Sequence, residues 1–393
     1  MTQVRIIEIQ NLEKVKEEMR KIGVDKEGIE IMAGKAMSPV LKIENIKNQA
    51  ANILKQEMLG LGGEAAVSYE VCAFKPGLSS VLLFGTLKHY QQLLEKLTWQ
   101  PYELPEIRKK IGEVLEIYLK NSRPKKIQIM GVLNVTPDSF FNGNKYFDLK
   151  KAVTHAEEMA MQGAEIIDLG GESTRPGAEA LPLEEELKRT IPVIKELRKK
   201  IKIAISIDTY KSEVARQALD CGAKMVNDIS GLRFDEQMVE IVGKYQAPVI
   251  IMHMQGTPRN MQENPEYNDV VKEIYTFFEE RINFCLNAGI KKENILLDPG
   301  IGFGKTVEHN LEILRRLNEF HSLGYPLVLG TSRKSFIGKI LDPSGKGLPP
   351  EERLEGSIAS YVWAVIKGAD ILRVHDVKEA KRAVKVVEAI MSR

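Results

Sequence analysis

The chain has 393 residues, 56 Lys+Arg against 54 Asp+Glu for a formal net charge of +2, and 43% hydrophobic against 28% charged residues. That is the composition of a globular protein with a sizeable core; near-neutrality excludes nucleic-acid or membrane-surface binding driven by bulk charge, but not a small anion held by a few local cations. Three cysteines (Cys72, Cys221, Cys285) with no C-x-x-C pair exclude a disulfide scaffold and a cysteine zinc cluster, and no apolar run reaches the length of a signal core or membrane span, so a cytoplasmic protein is expected.

Residues 1–122 read as a small α+β unit. Strands are expected at VRIIEI (4–9), VLKIEN (40–45), EAAVSYEVCAF (64–74) and SSVLLFG (79–85). Helices are expected at 12–23, 46–62, 87–97 and 104–121. The unit holds no catalytic motif, and its one histidine, His89, is read as a surface or core residue rather than a ligand. The polar NSRPKK stretch (121–126) ends it, so it is expected to be an accessory domain of unread role.

From 123 to 393 one pattern repeats: a short β-branched run, a polar or glycine-rich break, then an amphipathic stretch. The apolar runs fall at 127–133, 165–170, 203–208, 225–229, 248–253, 294–298, 326–330 and 370–374. They are rich in Ile, Val and Leu, as strands covered on both faces should be. Several intervening helices end in Gly-Ala (163–164, 222–223, 368–369), a glycine cap leading directly into the next strand. Eight β-then-α units in about 270 residues predict a (β/α)8 TIM barrel, with an open doubly wound sheet as the competing fold.

In such a barrel the C-terminal strand ends carry the chemistry, because the βα loops converge there. Here every run ends in polar groups: Asn134; GGESTRPG (170–177); Asp208-Thr209; Asn227-Asp228; Met252-His253; Asp298 within DPGIGFGK; TSRKS (331–335); and Arg373 with His375. Singly, a strand-end Asp or Asn is often a turn former or helix cap, and His253 reads as a satisfied core histidine. GIGFGKT is not a phosphate-binding P-loop, since Pro299 stands where the first glycine belongs. Jointly, Asp208, Asn227 and Asp298 offer acceptors to an aminated heterocycle and Lys334 a donor to its carbonyl. Arg175, Arg373 and His375 suit a phosphate or pyrophosphate. Asn134 has only an oxygen for a cation, which suits Mg2+, and Ser335 opens a helix whose N-terminus could hold a carboxylate.

MGVLNVTPDSF (130–140), GGESTRPG (170–177), DPGIGFGK (298–305), GTSRKS (330–335) and RVHDV (373–377) together resemble the dihydropteroate synthase family, in that family's order and over about residues 125–393. The resemblance implies a (β/α)8 barrel, a homodimer, and Mg2+-dependent joining of 6-hydroxymethyl-7,8-dihydropterin diphosphate to p-aminobenzoate with release of pyrophosphate. By motif, Asp208, Asn227, Asp298 and Lys334 would grip the dihydropterin, with Met252 packed on its ring. Asn134 would bind Mg2+, and Arg373 and His375 the diphosphate. Thr174, Arg175, Pro176 and Phe140 would close over p-aminobenzoate, and Ser335 would anchor its carboxylate. Asp208, Lys334, Arg373 and His375 are the expected catalytic set. The chain departs from the family's usual Ser-Asp-Gly-Gly after TPDSF, reading Phe141-Asn142-Gly143-Asn144. The rival enzyme is a pterin-binding methyltransferase acting on a corrinoid protein, which has no use for the diphosphate-type cations.

Overall fold

The computed structural model describes residues 2–9, 11–121, 126–135, 145–173 and 177–391. The chain divides into two compact units, Met1–Arg123 and Pro124–Arg393.

In the first unit, β1 (Val40–Lys47), β2 (Glu64–Val67) and β3 (Leu78–Phe84) form an antiparallel sheet in the order β1-β3-β2. Helices Leu12–Lys21, Lys26–Ala33, Asn48–Gly60, Leu87–Lys96 and Leu104–Asn121 accompany it. Leu54, Met58, Val81, Leu83, Tyr90 and Leu93 lie in its core. Two expectations are corrected. Residues 4–9 form no strand: Val4 and Ile6 are 94% and 100% exposed, and alternation alone gives no strand without a neighbour to accept its hydrogen bonds. The expected strand at 64–74 stops at Val67, where Ser68 turns the chain into the short helix Tyr69–Cys72. The helix Lys26–Ala33, capped by Asp25, was not expected. His89 closes a capping box with Thr86, a local structural role in line with the sequence reading.

The second unit is the expected barrel. Its strands are β4 (Gln128–Asn134), β5 (Ile166–Gly170), β6 (Ala204–Asp208), β7 (Met225–Asp228), β8 (Val249–Met252), β9 (Ile295–Asp298), β10 (Val328–Leu329) and β11 (Ile371–Val374). All pairings are parallel, in the order β10-β11-β4-β5-β6-β7-β8-β9. A parallel bridge from Leu297 to Leu327 brings β9 beside the segment entering β10, so the sheet returns on itself and the open-sheet alternative falls. The Gly163, Gly222 and Gly368 breaks take φ of +106°, +107° and +96°, which lets each helix reverse within a residue or two into the next strand.

The two-residue period of a strand sorts every run into an outer and an inner set. Ile129, Leu133, Ile167, Leu169, Ile205, Ile207, Val226, Val249, Ile251, Leu297 and Leu372 face the helices and build the main core. On the other face Met130, Ile166, Met225, Ile250, Leu296, Val328 and Ile371 form a separate apolar plug inside the barrel. Counting upward by twos from that plug gives Asp168, Asn227, Met252, Asp298 and Arg373, and another step gives Gly170. The register pairs Asn134, Gly170, Asp208 and Asn227 strand by strand. Parity therefore places the polar strand ends inside the barrel mouth, above the plug.

Candidate active site

The centre of the mouth is a buried charge network. Arg373 on β11 donates through Nε to Asp168 Oδ2 at 2.6 Å and through a terminal N–H to Asp208 Oδ2, also at 2.6 Å. Asn227 Nδ2 donates to the same Asp168 oxygen at 2.9 Å. Burial pushes the Asp208 carboxyl up to about 7, with the Arg373 guanidinium opposing the rise and the Asp168 carboxylate adding to it. Burial disfavours the Arg373 charge, but the two carboxylates outweigh it and hold the guanidinium above its ordinary pKa. Asp168 was not in the sequence-based site. Its signal was a charged residue at the centre of the apolar run EIIDLG, where strand propensity offers no reason for one.

Asp298 ends β9, and its Oδ1 accepts from the Gly300 N–H at 2.7 Å. Burial raises its pKa, while the charge of Lys334 opposes the rise. Lys334 donates to the Ile301 carbonyl and stands 4.6 Å from the centroid of the Phe303 ring. Burial lowers its ammonium to about 8, with Asp298 working against that shift. Residues 299–305 thus serve both side chains, through the Gly300 N–H and the Ile301 carbonyl, and that loop depends on a close approach. Gly300 has φ +67°, and a Cβ there would overlap the backbone carbonyl oxygen of His253. Gly300→Ala should destabilise the protein by about 2–4 kcal/mol, since neither the dihedral nor the neighbouring backbone can yield cheaply. Thermal unfolding of the variant measures it; an unchanged midpoint would remove Gly300 from this account.

The same loop disposes of the P-loop reading. Lys305 is buried, and its Nζ meets His253 Nδ1 at 3.0 Å and donates to the Phe303 carbonyl at 2.9 Å, so it is bound within the protein. His253 is the buried, partnered histidine that its apolar run implied.

Four more of the expected residues are described. Met252, at the end of β8, packs in a cluster with Ile229, Met254 and Met261, flanked by Tyr210 and Phe303. Asn134 ends β4 half-buried, and its Oδ1 lies 3.5 Å from where a Cβ on Gly170 would stand. His375 is solvent-exposed but crowded by protein and by the guanidiniums of Arg373 and Arg333, which push its imidazole down to about 4 and keep it neutral at pH 7. Its Nδ1 meets Ser332 Oγ at 2.9 Å. Ser335 is exposed at the first position of the helix Ser335–Leu341. Phe140, Thr174, Arg175 and Pro176 lie outside the described residues, as do residues 141–144 where the chain departs from the family.

A second cluster was missed. Glu172 accepts from Tyr210 Oη at 2.8 Å and from Lys211 at 2.5 Å, and Lys211 also meets the buried Glu186 at 2.5 Å. It ties the root of the loop after β5 to the end of β6. Among the described residues no group of three or more His, Cys, Asp or Glu could hold a metal.

Fold and mouth together define a (β/α)8 barrel whose inner rim sets buried carboxylates and an amide against a guanidinium and an ammonium. Residues 130–375 match the pterin binding enzyme family, and the chain belongs to that family. It is 48% identical over 266 residues to the dihydropteroate synthase of Synechocystis sp., covering 68% of this chain and 91% of that relative. A Halobacterium salinarum protein named "Probable bifunctional folylpolyglutamate synthase/dihydropteroate synthase" is 38% identical over 388 residues, 97% of this chain and 46% of its own length. That alignment takes in the first unit as well as the barrel. A crystal structure of dihydropteroate synthase from Clostridium difficile, in the presence of pteroic acid, superposes with a TM-score of 0.63 at 51% identity, covering 68% of this chain and 97% of that one.

Proposed function

We infer that the chain is a dihydropteroate synthase, condensing 6-hydroxymethyl-7,8-dihydropterin diphosphate with p-aminobenzoate to 7,8-dihydropteroate and pyrophosphate. The observation that carries this is the inner rim, where Asp208, Asn227 and Asp298 stand with Arg373 and Lys334 in one mouth above an apolar plug. The three acceptors take the N–H groups of the pterin edge and Lys334 donates to its carbonyl, while Met252 supplies apolar surface beside the ring. Arg373 and the neutral His375 receive the diphosphate. The corrinoid methyltransferase reading leaves those two groups without a task.

The reaction proceeds by departure of the leaving group. The methylene C–O bond breaks with its electron pair passing to the diphosphate. The cation left on the methylene carbon is delocalised into the dihydropterin ring. The p-aminobenzoate nitrogen then forms the new C–N bond, and its proton passes to the released pyrophosphate or to water. Catalysis rests on stabilising the leaving anion and the cation, so no strong base is required. The neutral His375 can donate one N–H to a phosphate oxygen, and Arg373 supplies fixed charge. Thr174, Arg175, Pro176 and Phe140 we assign to the p-aminobenzoate end, with Ser335 at the carboxylate.

The donor set at the mouth fits Mg2+. Asn134 offers a hard oxygen facing Gly170, and an ion with few protein ligands takes the rest of its shell from phosphate oxygens and water. Bound there, Mg2+ would neutralise charge on the diphosphate. A homodimer is supported by exposed Ile340, Leu341, Trp363 and Ile366 on two successive helices, Ser335–Leu341 and Leu354–Ile366, apolar surface that a second copy would cover. We place the enzyme in the cytoplasm, a reading supported by three unpaired cysteines. Among the described residues no helix is long and apolar enough to cross a membrane.

The test is direct. Purified protein incubated with dihydropterin diphosphate, p-aminobenzoate and Mg2+ should release dihydropteroate, and a sulfonamide should raise the apparent KM for p-aminobenzoate without changing kcat. No product, under conditions where a known synthase turns over, rejects the assignment.

A further inference from the structure

Asp168 is wholly buried at the centre of β5, level with Val132 and Ser206 on the neighbouring strands. The layer beneath it is apolar on strand after strand, so a carboxylate at this depth is costly and serves something other than packing. Its two oxygens are used unequally. Oδ2 accepts both Asn227 Nδ2 and Arg373 Nε, whereas Oδ1 has no partner among the described residues. An amide can be turned end for end about its terminal bond at little intrinsic cost, so its neighbours decide which end faces where. Turned the other way, Asn227 would set its own oxygen against Asp168 Oδ2, two acceptors with no proton between them. Asp168 therefore selects one orientation of the amide and directs the Asn227 carbonyl away from itself. The same oxygen fixes the Nε edge of Arg373, and with Asp208 Oδ2 on a terminal N–H it sets the plane in which that guanidinium lies.

We propose that Asp168 is a positioning residue that orients the pterin-contacting amide of Asn227 and the diphosphate-binding guanidinium of Arg373 through a single carboxylate oxygen. This rests on the pterin role given to Asn227 above. Asp168 touches no substrate; it decides what two other residues present. A carboxylate is not required for the effect, only an accepting oxygen at the Oδ2 position. In Asp168→Asn the amide oxygen can occupy that position and keep both hydrogen bonds, while its NH2 group takes the place of the partnerless Oδ1. Asp168→Ala removes the oxygen and lets Asn227 sample both orientations.

Calorimetry with 6-hydroxymethyl-7,8-dihydropterin, lacking the diphosphate, reads the Asn227 effect alone. Asp168→Ala should bind it at least about 10-fold more weakly than wild type, and Asp168→Asn within about 3-fold of wild type. The KM for p-aminobenzoate should stay within about 2-fold of wild type in both variants, a selectivity that a general loosening of the barrel would not produce. Wild-type affinity in Asp168→Ala, or equal loss in the two variants, overturns the proposal. Should Asp168→Ala not fold, protein labelled with 15N-asparagine decides the matter without a variant. The Asn227 side-chain amide protons should be protected from exchange, and exchange at the rate of an open amide overturns the proposal. A wild-type protein that fails to bind dihydropterin rejects the synthase reading instead, and leaves the amide measurement to judge Asp168.

Discussion

Lys334→Ala should lower kcat/KM for dihydropterin diphosphate by about 10²–10³-fold, the usual effect of deleting one preorganised donor from a water-poor site. The residue is held for that purpose: its Nζ donates to the Ile301 carbonyl, lies over the Phe303 ring and is countered by Asp298. Direct calorimetry of the variant should show weakened pterin binding along with the lost turnover, and unchanged kinetics would refute the role. The pH dependence supplies an independent signature. Burial lowers the ammonium to about 8, so Lys334 is charged below that pH and neutral above it. The wild-type kcat/KM should accordingly fall as pH rises through about 8, and the residual activity of Lys334→Ala should lack that limb. A limb that persists in the variant belongs to another group. Lys334→Arg should restore little, because a planar guanidinium does not fit a point donor's place on the Ile301 carbonyl.

Replacing Arg373 should be the most damaging change to the fold as well as to the site. Arg373→Leu leaves Asp168 and Asp208 as neighbouring buried carboxylates without their shared cation, which costs about 3–5 kcal/mol. The sign of its pH dependence follows from the direction of the Asp208 shift. That carboxyl is already raised to about 7 with the guanidinium present, and losing the cation raises it further. An acid whose folded pKa lies above its unfolded value favours the folded state once protonated. The penalty of Arg373→Leu should thus be full only above the variant's raised Asp208 pKa and relieved as pH falls through that value towards about 7, below which the carboxyl is protonated in both folded proteins. Denaturant unfolding at pH 8.5 and pH 5.5 measures this, and a larger penalty at the lower pH would contradict the network as drawn. The variant should also lose diphosphate binding, which pyrophosphate titration reads separately from stability.

Much of the barrel was legible because its signals are local. Apolar runs of β-branched residues, Gly-Ala breaks and amphipathic stretches each depend on residues close in the chain, and the structure places strands at all eight runs. Once the structure shows which residues form the inner plug, parity extends this: stepping by twos from them reaches Asp168, Asn227, Met252, Asp298 and Arg373. The failures came where a residue's state depends on a distant partner. VRIIEI alternates like a strand, yet it pairs with no edge and stays exposed. Asp168 drew no notice within EIIDLG because its partners Asn227 and Arg373 lie 59 and 205 residues further on. Lys305 and Lys334 stand in adjacent motifs as similar lysines, but one is bound to His253 and Phe303 while the other donates to the Ile301 carbonyl.

By itself the sequence determined the eight-unit rhythm, the polar end of the barrel and the family motifs, all of which are periodic or contiguous. Only the tertiary structure decided which of those polar groups share protons and charge. Closing the sheet is what brings β5, β7 and β11 around one point, and there burial turns a carboxylate, an amide and a guanidinium into a single network.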